Sequence, residues 1–218
     1  MPKITWDGTG ERFFEMGDKK GVLYPSDGKG GYEAGVAWNG LTAVTESPDG
    51  AEATDLWADD IKYGTMRSAE TFKFTIEAYT YPEEFYECDG TATPAEGVYV
   101  GQQKRKPFGF SYVSTVGNDE DSELGYKLHL IYNATASPSE KSYATINDSP
   151  EAITFSWECD TSPVAVTNYK PTSEITIDST KVDAAKLKSL EDTLYGSGTS
   201  GTSKLPSPDE VLAMFKTT

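Results

Sequence analysis

The chain has 218 residues, a net charge of −16 and 12% aromatic residues, among them thirteen tyrosines and four tryptophans. So many aromatics exclude a disordered tail, and the length suffices for one sizeable core. The charge excludes a protein that grips nucleic acid by its phosphates, but it suits a passage whose walls keep a duplex away.

The first residues carry no basic-then-apolar leader, and no apolar run approaches the ~20 residues that span a bilayer. The expectation is a protein made in a reducing cytoplasm, with no membrane partner. Residues 1–20 show no sustained period. Gly8, Gly10 and Gly17 punctuate them, while Trp6, Phe13 and Phe14 need cover, so they read as an arm laid over the domain or a neighbour. A main domain is expected over residues 21–195, opening with a short strand at Gly21 to Pro25 and a turn at Ser26 to Gly31.

Gly35 to Ser47 is rich in Val, Trp, Leu and Thr, which suit a pleated, half-buried surface. Its apolar parity changes at Asn39-Gly40, the mark of a tight turn or a bulge. The stretch that follows sets Trp57, Ile61 and Tyr63 among Glu46, Glu52, Asp55, Asp59 and Asp60. A long acidic loop with aromatic anchors is expected to lie on another surface, such as a second copy of this chain. Trp6, Trp57 and Ile61 are therefore candidate interface residues.

Thr71 to Thr80 alternates cleanly, with Phe72, Phe74, Ile76 and Ala78 on one face. Pro82-Glu83-Glu84 opens a short helix carrying Phe85 and Cys88, which Gly90 ends. Cys88 and Cys159 both fall in apolar patterns, which predicts buried free thiols rather than a bridge. Lys104-Arg105-Lys106 is the one basic cluster. Phe108, Phe110 and Tyr112 line one strand face, Tyr126, Leu128, Leu130 and Tyr132 the next, and Ile153, Phe155, Trp157 and Cys159 a third. Such alternation predicts antiparallel strands with one buried face and one solvated. The expected fold class is mainly β, two packed antiparallel sheets with a flanking helix and a long inter-strand loop.

The flanking helix is predicted over residues 181–195, capped by Thr180, with a seam of Leu187, Leu190 and Leu194 and a stop at Gly196. Residues 196–206 read as a flexible linker. Residues 207–218 read as a tethered helix started by Ser207-Pro208-Asp209-Glu210, too short to stand alone. Its apolar face, Val211, Leu212 and Phe215, is a further candidate interface.

His129 is the one histidine and shares the parity of Lys127, which predicts a plain surface residue. A lone histidine excludes Ser-His-Asp and Cys-His catalysis and a zinc site of the usual ligands. No phosphate-cradling glycine loop is present, and no carboxylate pair stands out as acid and base. The run Asn118, Asp119, Glu120, Asp121, Glu123 lacks the mid-loop glycine of a calcium hand and reads as a solvated loop. The expectation is no catalytic residue, no metal and no cofactor.

Several stretches resemble the major tail tube protein of long, non-contractile-tailed bacteriophages: ITWDGTGERFFEMG (Ile4 to Gly17), GVLYP, GVAWNGLTAVTES with AEATDLWADDIKYG, EAYTYPEEFYECDG (Glu77 to Gly90), and KPFGFSYVSTVGND running into GYKLHLIYNA (Lys106 to Ala134). Together they cover most of the first 160 residues in order. The resemblance implies a β-sandwich that closes into rings of six, stacked into a tube, with a long early loop reaching a neighbouring subunit. It implies a virion tail location, with tape-measure, terminator and initiator proteins as further partners and DNA passing through unbound. Glu77 and Glu158, on solvated strand faces, are the candidate lumen acids, and Lys104 to Lys106 are expected away from the lumen. The rival readings are a monomeric carbohydrate-binding module using exposed Trp, and an acid/base hydrolase; assembly state separates the first reading from both.

Overall fold

A computed structural model describes residues 4–50, 52–143, 145, 152–198 and 201–216. The first strands are β1 (Phe14–Pro25), β2 (Val36–Ala37), β3 (Leu41–Glu46), β4 (Asp49–Gly50), β5 (Ala53–Ala58), β6 (Ile61–Arg67), β7 (Glu70–Thr71) and β8 (Lys73–Ala78). Helix α1 (Phe85–Cys88) precedes β9 (Ala92–Ala95), β10 (Val98–Val100), β11 (Phe108–Gly117), β12 (Gly125–Ala136), β13 (Phe155–Thr161) and β14 (Glu174–Asp178). Helices α2 (Ala184–Tyr195) and α3 (Pro208–Phe215) close the chain.

The fold is mainly β and antiparallel, with short helices, as a β-sandwich with flanking helices would be. One eight-stranded sheet runs β2-β1-β11-β12-β13-β8-β3, and β14 pairs with the first half of β12 where β13 pairs with its end. The sheet rolls until its ends approach. Val44 of β3, at one end, donates its N–H to the Asp18 carboxylate of β1, near the other, at 3.0 Å. The two packed layers are thus halves of one rolled sheet.

Rolling creates two cores. Inside the roll, Trp38, Phe74, Ile76, Phe85, Phe108, Phe110 and Trp157 pack together, with ring pairs such as Trp38–Phe85 and Phe85–Trp157 tilted or edge-on at 4.6 and 5.2 Å. Outside it, Tyr24, Val113, Leu128, Leu130 and Tyr132 are covered by Leu187, Leu190 and Leu194 of α2 and by Leu205 and Val211. The expected alternation holds for β8, where Phe74, Ile76 and Ala78 are buried between half-buried neighbours. It fails for β11, which is buried along its whole length because the interior covers one face and the helices the other.

Three expected boundaries move. The first strand reaches back to Phe14, since β11 offers partners as far as Gly117, so the free arm ends near residue 13. Helix α2 starts after Asp183, whose carboxylate accepts from Ala185 and Lys186 at 3.0 Å; the expected cap, Thr180, instead donates its hydroxyl to Asp178. The predicted linker is anchored at its far end: Lys204 donates its N–H to the Thr193 carbonyl, and Leu205 is fully buried. Cys88 and Cys159 are buried and free, as read.

Candidate functional site

Between β3 and β8 the chain does not form a loop. The two strands leave the sheet side by side and continue as paired β4–β7 and β5–β6, a two-stranded arm. Its tip is Asp59-Asp60, both at positive φ (51° and 61°), the geometry of the tight turn that matches strand twist. Aspartate tolerates this left-handed backbone better than most residues. Lys62 pairs with Asp55 at 2.8 Å, and Thr65 donates to the same carboxylate at 2.9 Å.

The outer ribbon, β5 and β6, is exposed on both faces. Leu56, Trp57, Ile61, Tyr63 and Met66 all stand in water, Trp57 at 67% and Ile61 at 64% exposure. Cross-strand register pairs Ala58 with Ile61 but Trp57 with Lys62. Direct partners share a face, so the two candidate anchors point to opposite sides of the ribbon. An arm so dressed presents two contact surfaces.

A second exposed group belongs to the N-terminal arm and the first residue of β1: Ile4, Trp6 (78% exposed), Phe13 and Phe14. That arm is tied down where Gly10 and Asn118 meet: Asn118 Nδ2 donates to the Gly10 carbonyl, while Asp119 accepts from the Gly10 N–H at 3.0 Å. The acidic run of residues 118–123 therefore works as an anchor, with Asn118 Oδ1 also accepting from Glu120 and Asp121. A third group, Val98, Tyr99 and Val100, lies on the β9–β10 ribbon.

The C-terminal helix docks on its own chain. Ser207 and Glu210 form the full capping box, Asp209 accepts two bonds from Thr167 at 2.9 Å, and Val211 is 1% exposed. Val211 is thereby committed to the core beneath α2, while Leu212 and Phe215 remain half-buried. Glu77 and Glu158 lie on the face of β8 and β13 that points away from the rolled interior, Glu77 half-buried and Glu158 exposed. Lys73 and Asp160 share that face, 3.6 Å apart. Of the basic cluster, Arg105 bonds Asp89 and the Ala136 carbonyl, and Lys106 bonds Glu33 and Glu87.

The root of the arm holds a polar cluster. Glu46, the last residue of β3, points into the open end of the rolled interior, where Tyr112 donates to its Oε1 at 2.5 Å. The expected surface histidine is here instead. His129 is buried, its ring stacked on Tyr112 at 4.5 Å and 4°. Its parity with Lys127 holds, but that parity leads into the roll rather than to solvent. Nδ1 lies 3.5 Å from Glu46 and 3.6 Å from Glu174, and Nε2 lies 3.1 Å from Ser114 Oγ. Thr176 donates to Glu174 Oε1 at 2.7 Å. Burial works against the charge of Glu174, yet His129 and Thr176 hold its carboxyl below the usual range. Burial, then Glu46, pushes the Tyr112 phenol far up, so it stays a donor.

Periodicity finds the side of each strand but not what covers it, which is why this cluster is not legible from spacing. Its members are 46, 112, 129 and 174, brought together only by the order of strands in the sheet. No family model matches the chain, and no curated protein matches it either.

Proposed function

We propose that the chain is a self-assembling structural protein, the subunit of the tail tube of a long, non-contractile-tailed bacteriophage. In this reading six copies close into a ring and rings stack around a DNA conduit. The observation that carries it is the arm. Large apolar side chains held in water on both faces of a two-stranded ribbon gain free energy only when other surfaces cover them. A ribbon with two dressed faces suits a subunit with neighbours on both sides.

The likeness of the sequence words to that phage family supports the specific assembly, and the acidic balance supports the conduit. Like charge on a wall keeps the duplex backbone off it and lets it slide. Glu77 and Glu158, on the uncovered face of β8 and β13, are the acids we assign to that wall. Arg105 and Lys106, neutralised by acids of their own chain, leave the wall's charge undisturbed. The partners are other copies of the chain, with a tape-measure protein in the lumen and terminator and initiator proteins at the ends. The protein resides in the virion tail.

Negative-stain microscopy with sedimentation over a concentration series tests this. Rings or hollow tubes are expected. Trp57→Ala and Ile61→Ala should each raise the concentration needed for assembly roughly 30-fold, about 2 kcal/mol for a central aromatic or aliphatic anchor, with an unchanged far-ultraviolet spectrum. A chain that stays monomeric at its solubility limit would overturn the reading.

A further inference from the structure

In the cluster at the arm root, His129 Nδ1 has a contact of hydrogen-bond length to Thr176 Oγ1, at 3.3 Å, while its two carboxylate neighbours stand farther off. The His129 Nδ1 separations from Glu46 and Glu174, 3.5 and 3.6 Å, exceed the roughly 2.7–2.9 Å of a charge-assisted N–H···O bond. They match the edge of a coordination polyhedron. Two ligands each about 2.0–2.2 Å from one ion, at near-tetrahedral angles, stand about 3.4 Å apart. Nδ1 and one oxygen from each carboxylate all lie within 4.8 Å of one another.

Charge argues the same way. Two carboxylates face one imidazole, and among the described residues neither has a lysine or arginine within ion-pair reach. In the tautomer that donates Nε2–H to Ser114 Oγ, Nδ1 is free to face the two carboxylates, and one bound cation satisfies all three groups. Each ligand is also held by a hydrogen bond to a neighbour: Ser114 to His129 Nε2, Tyr112 to Glu46 Oε1, and Thr176 to Glu174 Oε1. Hydrogen bonds to ligating groups orient them in built metal sites.

We propose that Glu46, His129 and Glu174 bind one divalent transition-metal ion of the zinc class. The imidazole nitrogen selects against calcium and magnesium, which take oxygen ligands. Three protein ligands leave a fourth position on the side of Glu46, whose side chain is 32% exposed. The ligands come from β3, β12 and β14, so the ion ties the strand that becomes the arm to the centre of the sheet. Its role is to hold the arm root, a function independent of what the arm docks against.

The test is calorimetric titration of Zn²⁺ into chelator-stripped full-length protein near neutral pH, with Ca²⁺ and Mg²⁺ as comparators. One Zn²⁺ per chain is expected, with a raised melting temperature and no saturable binding of the other two. Glu174→Gln and His129→Gln should each weaken binding at least tenfold, and Asp160→Asn, on the outer face, should not. Should His129→Gln fail to fold, Ser114→Ala serves in its place, with a smaller loss. Co²⁺ should give a visible absorption band that Glu174→Gln abolishes. Absence of saturable binding in the wild type overturns the site. So does binding that survives Glu174→Gln, or several Zn²⁺ per chain matched by Ca²⁺, since both describe diffuse attraction to an acidic surface. A midpoint that moves with pH but not with Zn²⁺ would assign the cation as a proton on His129 and overturn it as well.

Discussion

Single residues in this chain are decided by which side of the rolled sheet they face. Cys88 and Cys159 point inward among aromatic rings, and burial pushes the Cys88 thiol up to about 12 and the Cys159 thiol higher still. The thiolate is the reactive species. Both thiols should therefore ignore a disulfide reagent at mildly alkaline pH and react together once denaturant unfolds the chain; fast reaction of either in the native protein would contradict its placement. Burial of both cysteines was legible because Cys159 sits in an alternating apolar strand and Cys88 shares a helical face with Phe85. His129 was misplaced by the same kind of reasoning. Its neighbours Leu128 and Leu130 correctly fixed its side, but the opposite side is lined by Tyr112 and Glu46 from strands 17 and 83 residues away in sequence. A period of two assigns a residue to a face, and only strand order says whether that face meets water.

Among elements, the C-terminal segment is the one whose role the structure changes most. Gly109 of β11 is the close-approach point: a Cβ there would meet Leu205 Cδ2 at 2.2 Å and the Tyr32 ring at 3.0 Å. Gly109→Ala should lower stability by about 1–3 kcal/mol through overpacking, seen as a lower urea midpoint with an unchanged slope. An unaffected midpoint would mean that Leu205 is not seated there. Helix α3 adds a pH dependence. The Lys204 ammonium, together with the Ser207 N–H, holds the Glu210 carboxyl below its usual range. A carboxyl lowered in the folded state contributes stability above its unfolded value, near pH 4.3, and loses it as pH falls through the folded value. The fall in urea midpoint between about pH 6 and about pH 3 should therefore be smaller in Glu210→Gln than in the wild type. Equal falls would remove this carboxyl from helix docking. The capping box and the Leu187, Leu190, Leu194 seam were readable directly, because cap and period are local. The seating of Leu205 was not, since a run of Gly, Ser and Thr before it gives no hint that its end is anchored.

At the scale of the whole molecule, the net charge of −16 sets copies of the chain against one another. If desolvated apolar anchors drive association, added salt should help it by screening that repulsion, the Debye length being about 10 Å at 0.1 M. The concentration needed for assembly should fall as salt rises from low values; a steady increase would show that ion pairs between copies dominate instead. The arm has one more consequence, and it is mechanical. Both of its strands enter the body side by side as β3 and β8, and β8 is bonded to β13 through six successive residue pairs from Phe155–Ala78 to Asp160–Lys73. A pull on the tip along the arm therefore loads that ladder in shear, with all its rungs bearing at once rather than opening one by one. Tension handed from copy to copy would run along covalent backbone into the centre of each sheet, and the joint least able to yield would be the one at the base of the arm.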